Sequence, residues 1–161
     1  MPIQITIEPP RQAEVESLLR QSTEYATSLP YPPESNFLLS IDELEATDVT
    51  FYVARNEQGR AYGTAALVEL SPGRAELKRM YVHEDARGHG VASALLERIE
   101  TDAMIRGIRE IVLETGPLHS SALSLYRRCG YTEIANFGQY VGEEFSVCFG
   151  KSLIAEYDAI A

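Results

Sequence analysis

The most restrictive feature of this sequence is a glycine-rich segment, Arg87–Ala92, that separates a predicted strand from a long amphipathic helix. The strand spans about Arg74–Val82 and the helix about Gly88–Arg106. Apolar residues recur along the helix at three- and four-residue spacing, as one buried face requires: Val91, Ala92, Leu95, Leu96, Ile99 and Ala103. Gly107 ends the helix, and the apolar run Ile108–Thr115 predicts a second strand. A strand, a long helix and a strand in this order predict a right-handed crossover between parallel strands.

The rest of the chain predicts further strands and helices around the same sheet. Two apolar runs, Val49–Arg55 and Ala61–Leu70, flank a polar turn and are typical of an antiparallel hairpin. The remaining predicted elements are a strand at Ile3–Ile7, a helix over Arg11–Ala26, a loop over Ser28–Asn36, a short helix after the capping-box residue Ser40, a helix over Ser120–Cys129, and strands over Tyr131–Ala135 and Phe145–Lys151. We therefore expect one α/β domain, residues 1–161, with a mixed and strongly twisted sheet.

Composition narrows the class of protein. A chain of 161 residues, of which 45% are hydrophobic, is long enough to bury its own core. It has no apolar run near the roughly 20 residues that cross a bilayer, and its first residues do not resemble a secretory signal. We therefore expect a cytoplasmic protein with no membrane partner. Cys129 and Cys148 are expected to be free thiols in a reducing compartment, although one disulfide between them stays open.

The formal net charge of −10 bears on the partners. It argues against nucleic-acid binding, which needs a basic surface. It favours a cationic or amine-bearing substrate through electrostatic steering, or it serves solubility alone.

The segment Arg87–Ala92 predicts an anion-binding site. The first N–H groups of a helix have no partner within it, and the helix dipole is positive there. Glycine at 88 and 90 lets the backbone approach a phosphate, and Arg87 adds a charged donor. The alternative is a glycine-rich helix start without a ligand. The segment fits neither the P-loop pattern G-x-x-x-x-G-K-[ST] nor the dinucleotide pattern G-x-G-x-x-G.

Three segments together resemble the GNAT superfamily of N-acetyltransferases. Arg87–Ala92 resembles its acyl-CoA signature R/Q-x-x-G-x-G/A, with Ala92 at the last position. Glu76–Val82 is similar to the strand before that signature, and Ala122–Tyr131 to the A-x-x-L-Y-x-x-x-G-[FY] segment. The resemblance covers about residues 49–150. It implies a twisted, mostly antiparallel sheet with a splayed parallel central pair, flanked by helices. It also implies transfer of an acetyl group from acetyl-CoA to a primary amine by direct attack.

The resemblance assigns a cofactor-binding set. It implies that the pyrophosphate of acetyl-CoA binds the backbone amides of the signature loop: Arg87, Gly88, His89, Gly90, Val91, Ala92 and Ser93. It also implies that the main chain of Met80, Tyr81 and Val82 pairs with the pantetheine arm, as an added strand does. The thioester is then expected where the strands at Met80 and Leu113 splay apart. His119 and Tyr126 complete the predicted set.

The resemblance also assigns catalytic roles. Tyr126 matches the tyrosine that protonates the departing thiolate; the alternative is an aromatic residue packed on a helix face. Glu76 resembles the glutamate base of histone-type members, and period-2 alternation puts it on one sheet face with Lys78, Met80 and Val82. Its alternative is a surface carboxylate paired with Lys78 or Arg79. Glu114, at the end of an apolar strand, is the second candidate base, and an ordered water is the third.

One departure from the family concerns His119, which stands where asparagine is frequent. It is expected to act as a base near neutral pH or, as we favour, to cap the following helix. The three histidines, His83, His89 and His119, lack metal-ligand spacing, so we expect no metal.

The substrate side is expected at Tyr31–Asn36 and Phe137–Tyr140, which carry aromatic, amide and carboxylate groups. A small-molecule amine or a peptide terminus is the predicted acceptor, and the resemblance allows a homodimer. The alternative function is a non-catalytic acyl-CoA-binding sensor or interaction module with the same fold.

Overall fold

A computed structural model describes residues 2–154 as one seven-stranded sheet flanked by helices. In chain order the strands and α-helices are β1 (Gln4–Ile7), α1 (Ala13–Ser28), α2 (Ile41–Leu44), β2 (Val49–Arg55), β3 (Ala61–Ser71), β4 (Arg74–Val82), α3 (Val91–Ile105), β5 (Glu110–Thr115), α4 (Ser120–Arg128), β6 (Thr132–Ile134) and β7 (Val147–Ser152). Every predicted strand and helix is present, with boundaries shifted by a few residues. None of the described helices is long and apolar enough to cross a membrane.

The sheet has the predicted mixed topology. Its strand order is β1-β2-β3-β4-β5-β7-β6, and β4 and β5 are the parallel pair, joined through α3. All other neighbouring strands are antiparallel. The predicted crossover is therefore confirmed, and it places the glycine-rich segment at the carboxyl end of β4.

The two faces of the sheet bury different helices. On one face, Leu95 and Ile99 of α3 pack with Tyr52, Leu67 and Leu77. On the other face, α1 packs its apolar residues against Phe51, Val53 and Ala66. Alternate residues of β2 thus belong to opposite clusters, as the period-2 geometry of a strand requires.

An irregularity in β4 overturns the predicted sharing of one face by Glu76, Lys78, Met80 and Val82. Thr64 pairs with Tyr81 and Ala66 with Lys78, so two steps along β3 match three steps along β4. The extra residue is a β-bulge, where Arg79 has a φ of +55°. One inserted residue reverses the alternation, because side chains in a strand repeat every second residue. Glu76 and Lys78 therefore lie on the α1 face, whereas Met80 and Val82 pack with the α3 cluster.

Candidate active site

The separation of β4 from β5 opens a cleft in the sheet. Parallel pairing runs from Arg74 and Glu110 to Leu77 and Leu113, and then stops. Beyond this point β4 continues to Val82 without a partner on its β5 side. A cleft of about 500 Å³ opens there, and Met80, Tyr81 and Val82 line it. The splayed pair predicted from the sequence is confirmed, and the free edge of β4 can hydrogen-bond an extended ligand.

The glycine-rich segment forms one end of this cleft. Gly88 and Gly90 have φ values of +81° and +76°, which favour glycine, and a Cβ added at either would meet open space. The first hydrogen bond into α3 runs from Ala94 N to Gly90 O (3.0 Å). The amides of Val91, Ala92 and Ser93 therefore have no acceptor within residues 2–154, and the first turn carries no acidic residue. This end of the cleft can bind an anionic group such as a phosphate.

The structure brings most of the predicted cofactor-binding residues together at that end. Arg87, Gly88, Gly90, Val91, Ala92 and Ser93 all line the cleft. Arg87 also places its guanidinium near the rings of Tyr25 and Tyr81. His89 is exposed and does not line the cleft.

Glu114 is the carboxylate that lines the cleft. It follows the last residues that pair β5 with β4, and its side chain lies on the face of the sheet opposite α3. Ser146 Oγ donates a hydrogen bond of 2.7 Å to it. Burial raises the pKa of Glu114, and the Ser146 hydrogen bond opposes that shift. A partly buried carboxylate with a raised pKa can accept a proton close to neutral pH.

Tyr126 lies on α4 and lines the same cleft. Its ring packs edge-on against Tyr131, with centroids 5.8 Å apart, and against Phe149. Its hydroxyl has no hydrogen-bond partner within the described part of the chain. Burial, and then the charges of Cys129 and Glu114, raise the pKa of Tyr126, so the hydroxyl stays protonated at neutral pH. A proton donor is thus available in the cleft.

Glu76 takes a different place from Glu114. It is 6% exposed, does not line the cleft, and accepts a hydrogen bond of 2.5 Å from the Tyr140 hydroxyl. Lys78 Nζ donates to the same hydroxyl (2.8 Å) and lies 3.8 Å from the Glu76 carboxylate. Glu76 is therefore part of a buried three-residue cluster. The alternative of a surface ion pair is wrong, because the pair with Lys78 is buried beneath Tyr140.

His119 does not play the capping role that we favoured from the sequence. It occupies the N-cap position of α4 but makes no side-chain hydrogen bond there. Its ring stacks instead on Tyr31, with centroids 5.7 Å apart and an interplanar angle of 9°. Burial lowers the pKa of His119, which favours the neutral imidazole. Stacking turns the ring away from the helix amides and into the wall of the cleft.

Tyr31 builds this wall from a distant part of the chain. Its hydroxyl accepts a hydrogen bond from Leu118 N (2.5 Å), and its ring also contacts Phe145. The ring lies directly over Gly116, where an added Cβ would overlap it. We call the rings of Tyr25, Tyr31, His119 and Phe145 the aromatic wall; all four line the cleft.

Only one of the two predicted substrate segments reaches the cleft. In the first, Tyr31, Ser35 and Asn36 line it, together with Phe37 and Leu38, which follow. The second segment, Phe137–Tyr140, does not, because Tyr140 is buried over Glu76 and Lys78. Sequence reasoning missed Tyr25, Phe37, Phe145 and Ser146. Their neighbours carry no local pattern that indicates a site, and they meet only through the fold.

The described residues show no cluster of histidine, cysteine, aspartate and glutamate that could hold a metal ion. Both cysteines are free thiols, as we favoured, and Cys148 is buried. The Sγ atom of Cys129 lies 3.9 Å from Ser93 Oγ, which places the end of α4 beside the start of α3.

Comparison with known proteins agrees with this geometry. Residues 13–131 match the acetyltransferase (GNAT) family. An IAA acetyltransferase from Azospirillum brasilense is 36% identical over 152 residues, which cover 94% of this chain and 98% of that protein. The crystal structure of an acyl-CoA N-acyltransferase from Klebsiella pneumoniae superimposes with a TM-score of 0.79 at 29% identity, covering 94% of this chain and 98% of the other.

A third comparison concerns the fold alone. The PaiA N-acetyltransferase from Thermoplasma acidophilum, solved in complex with coenzyme A, is 18% identical and gives a TM-score of 0.72. The match covers 94% of this chain and 99% of that one. With the family match over residues 13–131 and a 36% identical relative of nearly equal length, these findings show that the chain belongs to the GNAT family of acetyltransferases.

Proposed function

We propose that this enzyme transfers the acetyl group of acetyl-CoA to the primary amine of a small molecule. The observation that carries the proposal is the continuity of one cleft. It joins an anion-binding helix start, the free edge of β4, a carboxylate with a raised pKa and a protonated tyrosine hydroxyl. Acetyl-CoA supplies an activated acetyl thioester when bound.

The residues of the chain fit such a cosubstrate. The amides of Val91, Ala92 and Ser93, with the open space at Gly88 and Gly90, suit a pyrophosphate. The unpartnered edge of β4 at Met80–Val82 suits an extended arm that adds a strand to the sheet. That edge leads from the anion-binding end towards Glu114.

We assign Glu114 as the general base. An ammonium group cannot attack a carbonyl carbon, because its lone pair is bound to a proton. The amine loses that proton to the Glu114 carboxylate, directly or through a water. The amine nitrogen then forms a bond to the acetyl carbon, and the carbon–sulfur bond breaks. Glu76 is the less suitable base, because Tyr140 and Lys78 already occupy its carboxylate.

We assign Tyr126 as the proton donor to the departing sulfur; its oxygen regains a proton from the attacking nitrogen, which must lose a second proton to become the amide. Its hydroxyl has no competing acceptor within residues 2–154, and its raised pKa keeps the proton available. Burial of the ring between Tyr131 and Phe149 fixes its direction. His119 has a lowered pKa and a ring stacked on Tyr31, so we assign it a structural role in the aromatic wall.

The sheet of the described residues and the two free thiols support proposals for the domain extent and the compartment. One sheet spans the described residues, so we propose a single acetyltransferase domain over residues 1–161. The two free thiols suit a reducing compartment, and we propose the cytoplasm.

A thiol-release assay with acetyl-CoA and a panel of small amines tests the proposal. We expect release of free CoA that depends on an amine, with formation of the matching N-acetyl product. The alternative is an acyl-CoA-binding sensor that keeps the anion-binding loop without the chemistry. Tight acetyl-CoA binding without turnover of any amine, and no effect of Tyr126→Phe, would favour the sensor.

A further inference from the structure

One end of the aromatic wall lies beside Glu114. Phe145 directly precedes Ser146, whose hydroxyl donates the 2.7 Å hydrogen bond to the Glu114 carboxylate. Tyr31 lies over Gly116, two residues after Glu114, and its ring contacts Phe145 with centroids 5.7 Å apart. Burial raises the pKa of Tyr31, and the charge of Glu114 raises it further, which agrees with their proximity. A ligand whose amine faces Glu114 therefore has its next atoms beside these two rings.

The rings near Glu114 are half-buried and border open space. Tyr31, His119 and Phe145 all line the cleft, and Phe37, which packs edge-on against Tyr140 at 5.0 Å, lines it as well. Apolar and aromatic side chains that line a concave site, with a few polar groups among them, are typical of a small-molecule pocket. An aromatic ligand gains more from such rings than a saturated one, because aromatic pairs attract beyond the area that they bury.

The other end of the wall lies at the anion-binding end of the cleft. Tyr25 is 39% exposed, and the guanidinium of Arg87 lies 5.9 Å from the centre of its ring. Arg87 directly precedes the two glycines that suit the pyrophosphate. Tyr25 is therefore available to the cosubstrate, whereas Tyr31 and Phe145 border the space beside the proposed base.

The charged residues of the cleft limit the acceptor to one ammonium group. Glu114 is the single acidic residue among the described residues that line it, whereas four are basic: Lys78, Arg79, Arg87 and Arg128. Burial raises the pKa of Glu114, and the charge of Lys78 acts in the opposite direction, so these two groups are near each other.

A second ammonium group would find no counter-charge in this lining. Glu114 must take up the proton of the attacking amine, so the same carboxylate cannot also hold another cation. A diamine or polyamine would thus leave a charge uncompensated among basic residues, which is costly. The formal net charge of −10 is therefore a poor guide to the acceptor, because the cleft itself is not acidic.

On this basis, and resting on the proposed function, we propose that the acceptor is an arylalkylamine, a primary amine joined by a short chain to an aromatic ring, with no second cation. The amine faces Glu114, and the ring packs against Tyr31 and Phe145. The bonds are those of the proposed function: nitrogen–carbon forms and carbon–sulfur breaks. Of the two protons that the ammonium group loses, Glu114 takes one and the thiol receives the other through Tyr126.

Three amines test the ring and the single charge. Phenethylamine and 2-cyclohexylethylamine share one carbon skeleton and differ in whether the ring is aromatic, whereas 1,4-diaminobutane has a second ammonium group and no ring. The kcat/KM of each is measured at saturating acetyl-CoA. We expect the wild-type enzyme to prefer phenethylamine to 2-cyclohexylethylamine by about 2- to 10-fold, the range of an aromatic pair. We expect 1,4-diaminobutane to be at least about tenfold poorer than phenethylamine.

Variants locate the ring through the ratio of kcat/KM for the two ring amines. We expect Tyr31→Leu and Phe145→Leu each to lower this ratio at least about twofold, and Tyr31→Phe, which keeps the ring, to preserve it. Phe137→Leu is the matched control, because Phe137 is also half-buried but does not line the cleft. Both rates come from one preparation, so partial misfolding of a variant cancels, and the intrinsic reactivity of each amine is the same for every variant.

The outcomes separate the acceptor from the cosubstrate. Equal or better use of 2-cyclohexylethylamine or of 1,4-diaminobutane by the wild type would overturn the inference while leaving the acetyltransferase activity established. An unchanged ratio in both leucine variants would overturn it too, and a raised KM for acetyl-CoA in those variants would then assign the rings to the cosubstrate. Acetyl-CoA binding without acetylation of any amine would overturn the proposed function as well.

Discussion

The Oγ atom of Ser146 donates a hydrogen bond of 2.7 Å to the Glu114 carboxylate. The bond joins the end of β5 to the start of its antiparallel neighbour β7. Glu114 is the penultimate residue of β5, and Ser146 directly precedes β7. The contact fixes the carboxylate in the cleft and opposes the rise in pKa that burial causes. It therefore links the direction of the carboxylate to its ionisation.

Removal of the Glu114 carboxylate should change the pH profile. The raised pKa means that Glu114 holds its proton at low pH, so the wild-type kcat/KM should rise with pH as the proton leaves. We expect Glu114→Gln to lose this rise and to lower kcat/KM at pH 7 by about 100-fold. Glu76→Gln is the matched control, and should lower stability while keeping the rise. If Glu76→Gln alone removed the rise, the base would be Glu76; a rise kept by both variants would indicate water.

Removal of the Ser146 hydroxyl should shift that profile without abolishing it. The hydrogen bond stabilises the ionised carboxylate, so its loss raises the pKa of Glu114 further. We expect Ser146→Ala to move the rise in kcat/KM to higher pH, with a similar plateau. Measurement of kcat/KM between pH 5 and 9 checks the direction, and a shift to lower pH would contradict it.

Loss of the Tyr126 hydroxyl should slow the chemistry and leave acetyl-CoA binding intact. The hydroxyl has no hydrogen-bond partner within residues 2–154, so its removal breaks no internal bond. We expect Tyr126→Phe to lower kcat by about 100-fold with little change in acetyl-CoA affinity. Tyr131→Phe is the control: its hydroxyl donates to Glu100 (2.9 Å), so that variant should lose stability and keep kcat. Equal kcat in Tyr126→Phe and wild type would remove Tyr126 from the mechanism.

A carboxylate in the glycine-rich segment should repel the phosphates. Gly90→Glu places a negative charge at the start of α3, where the open space at Gly90 is expected to receive the ligand. We expect a loss of acetyl-CoA affinity of at least about tenfold, measured by calorimetry. Gly59→Glu is a close control, because Gly59 also has a positive φ (+80°) and open space, but lies in the turn between β2 and β3. Similar losses in both variants would mean that backbone strain, and not the site, is responsible.

The ion pair of Glu8 with Arg55 should make the free energy of unfolding depend on pH in the acid range. Arg55 donates two hydrogen bonds to Glu8 (2.8 and 2.9 Å), which lower the pKa of that carboxyl from 4.5 to about 2. A lowered pKa contributes stability above the unfolded value, and this contribution is lost as pH falls through about 2. We expect Glu8→Gln to lower the free energy of unfolding by about 2 kcal/mol at pH 7, and by progressively less as the pH falls from 4.5 to about 2. Urea unfolding across this range measures it, with Glu57→Gln, at an exposed position in the turn between β2 and β3, as control; a constant difference would contradict the ion-pair account.

Much of the fold followed from local patterns. Apolar spacing located α3, and its position between two apolar strands indicated the parallel pair, because parallel neighbours need a crossover of about that length. The two glycines located the start of α3, because glycine is the residue that most readily adopts the positive φ values found at Gly88 and Gly90. The bulge at Arg79 could not be predicted in this way, because the sequence alternates on both sides of the inserted residue and gives no sign of it.

The site was only partly accessible from the sequence. Glu114 and Tyr126 could be named because each belongs to a recognisable strand or helix segment. Their relation to Ser146, Tyr31 and Phe145 could not, because those side chains come from separate loops and carry no periodic signal. The exclusion of Glu76 from the cleft lining likewise depends on Tyr140, which lies 64 residues away in the chain.

The glycine-rich segment, the order of strands and helices, and the family to which they point were thus determined by the sequence itself, since backbone conformation and burial periodicity are local properties. Tertiary structure alone decided which carboxylate faces the cleft and which rings form the wall. Those relations depend on the end of pairing at Leu77 and Leu113 and on the bulge that follows, and both are set by packing between distant strands.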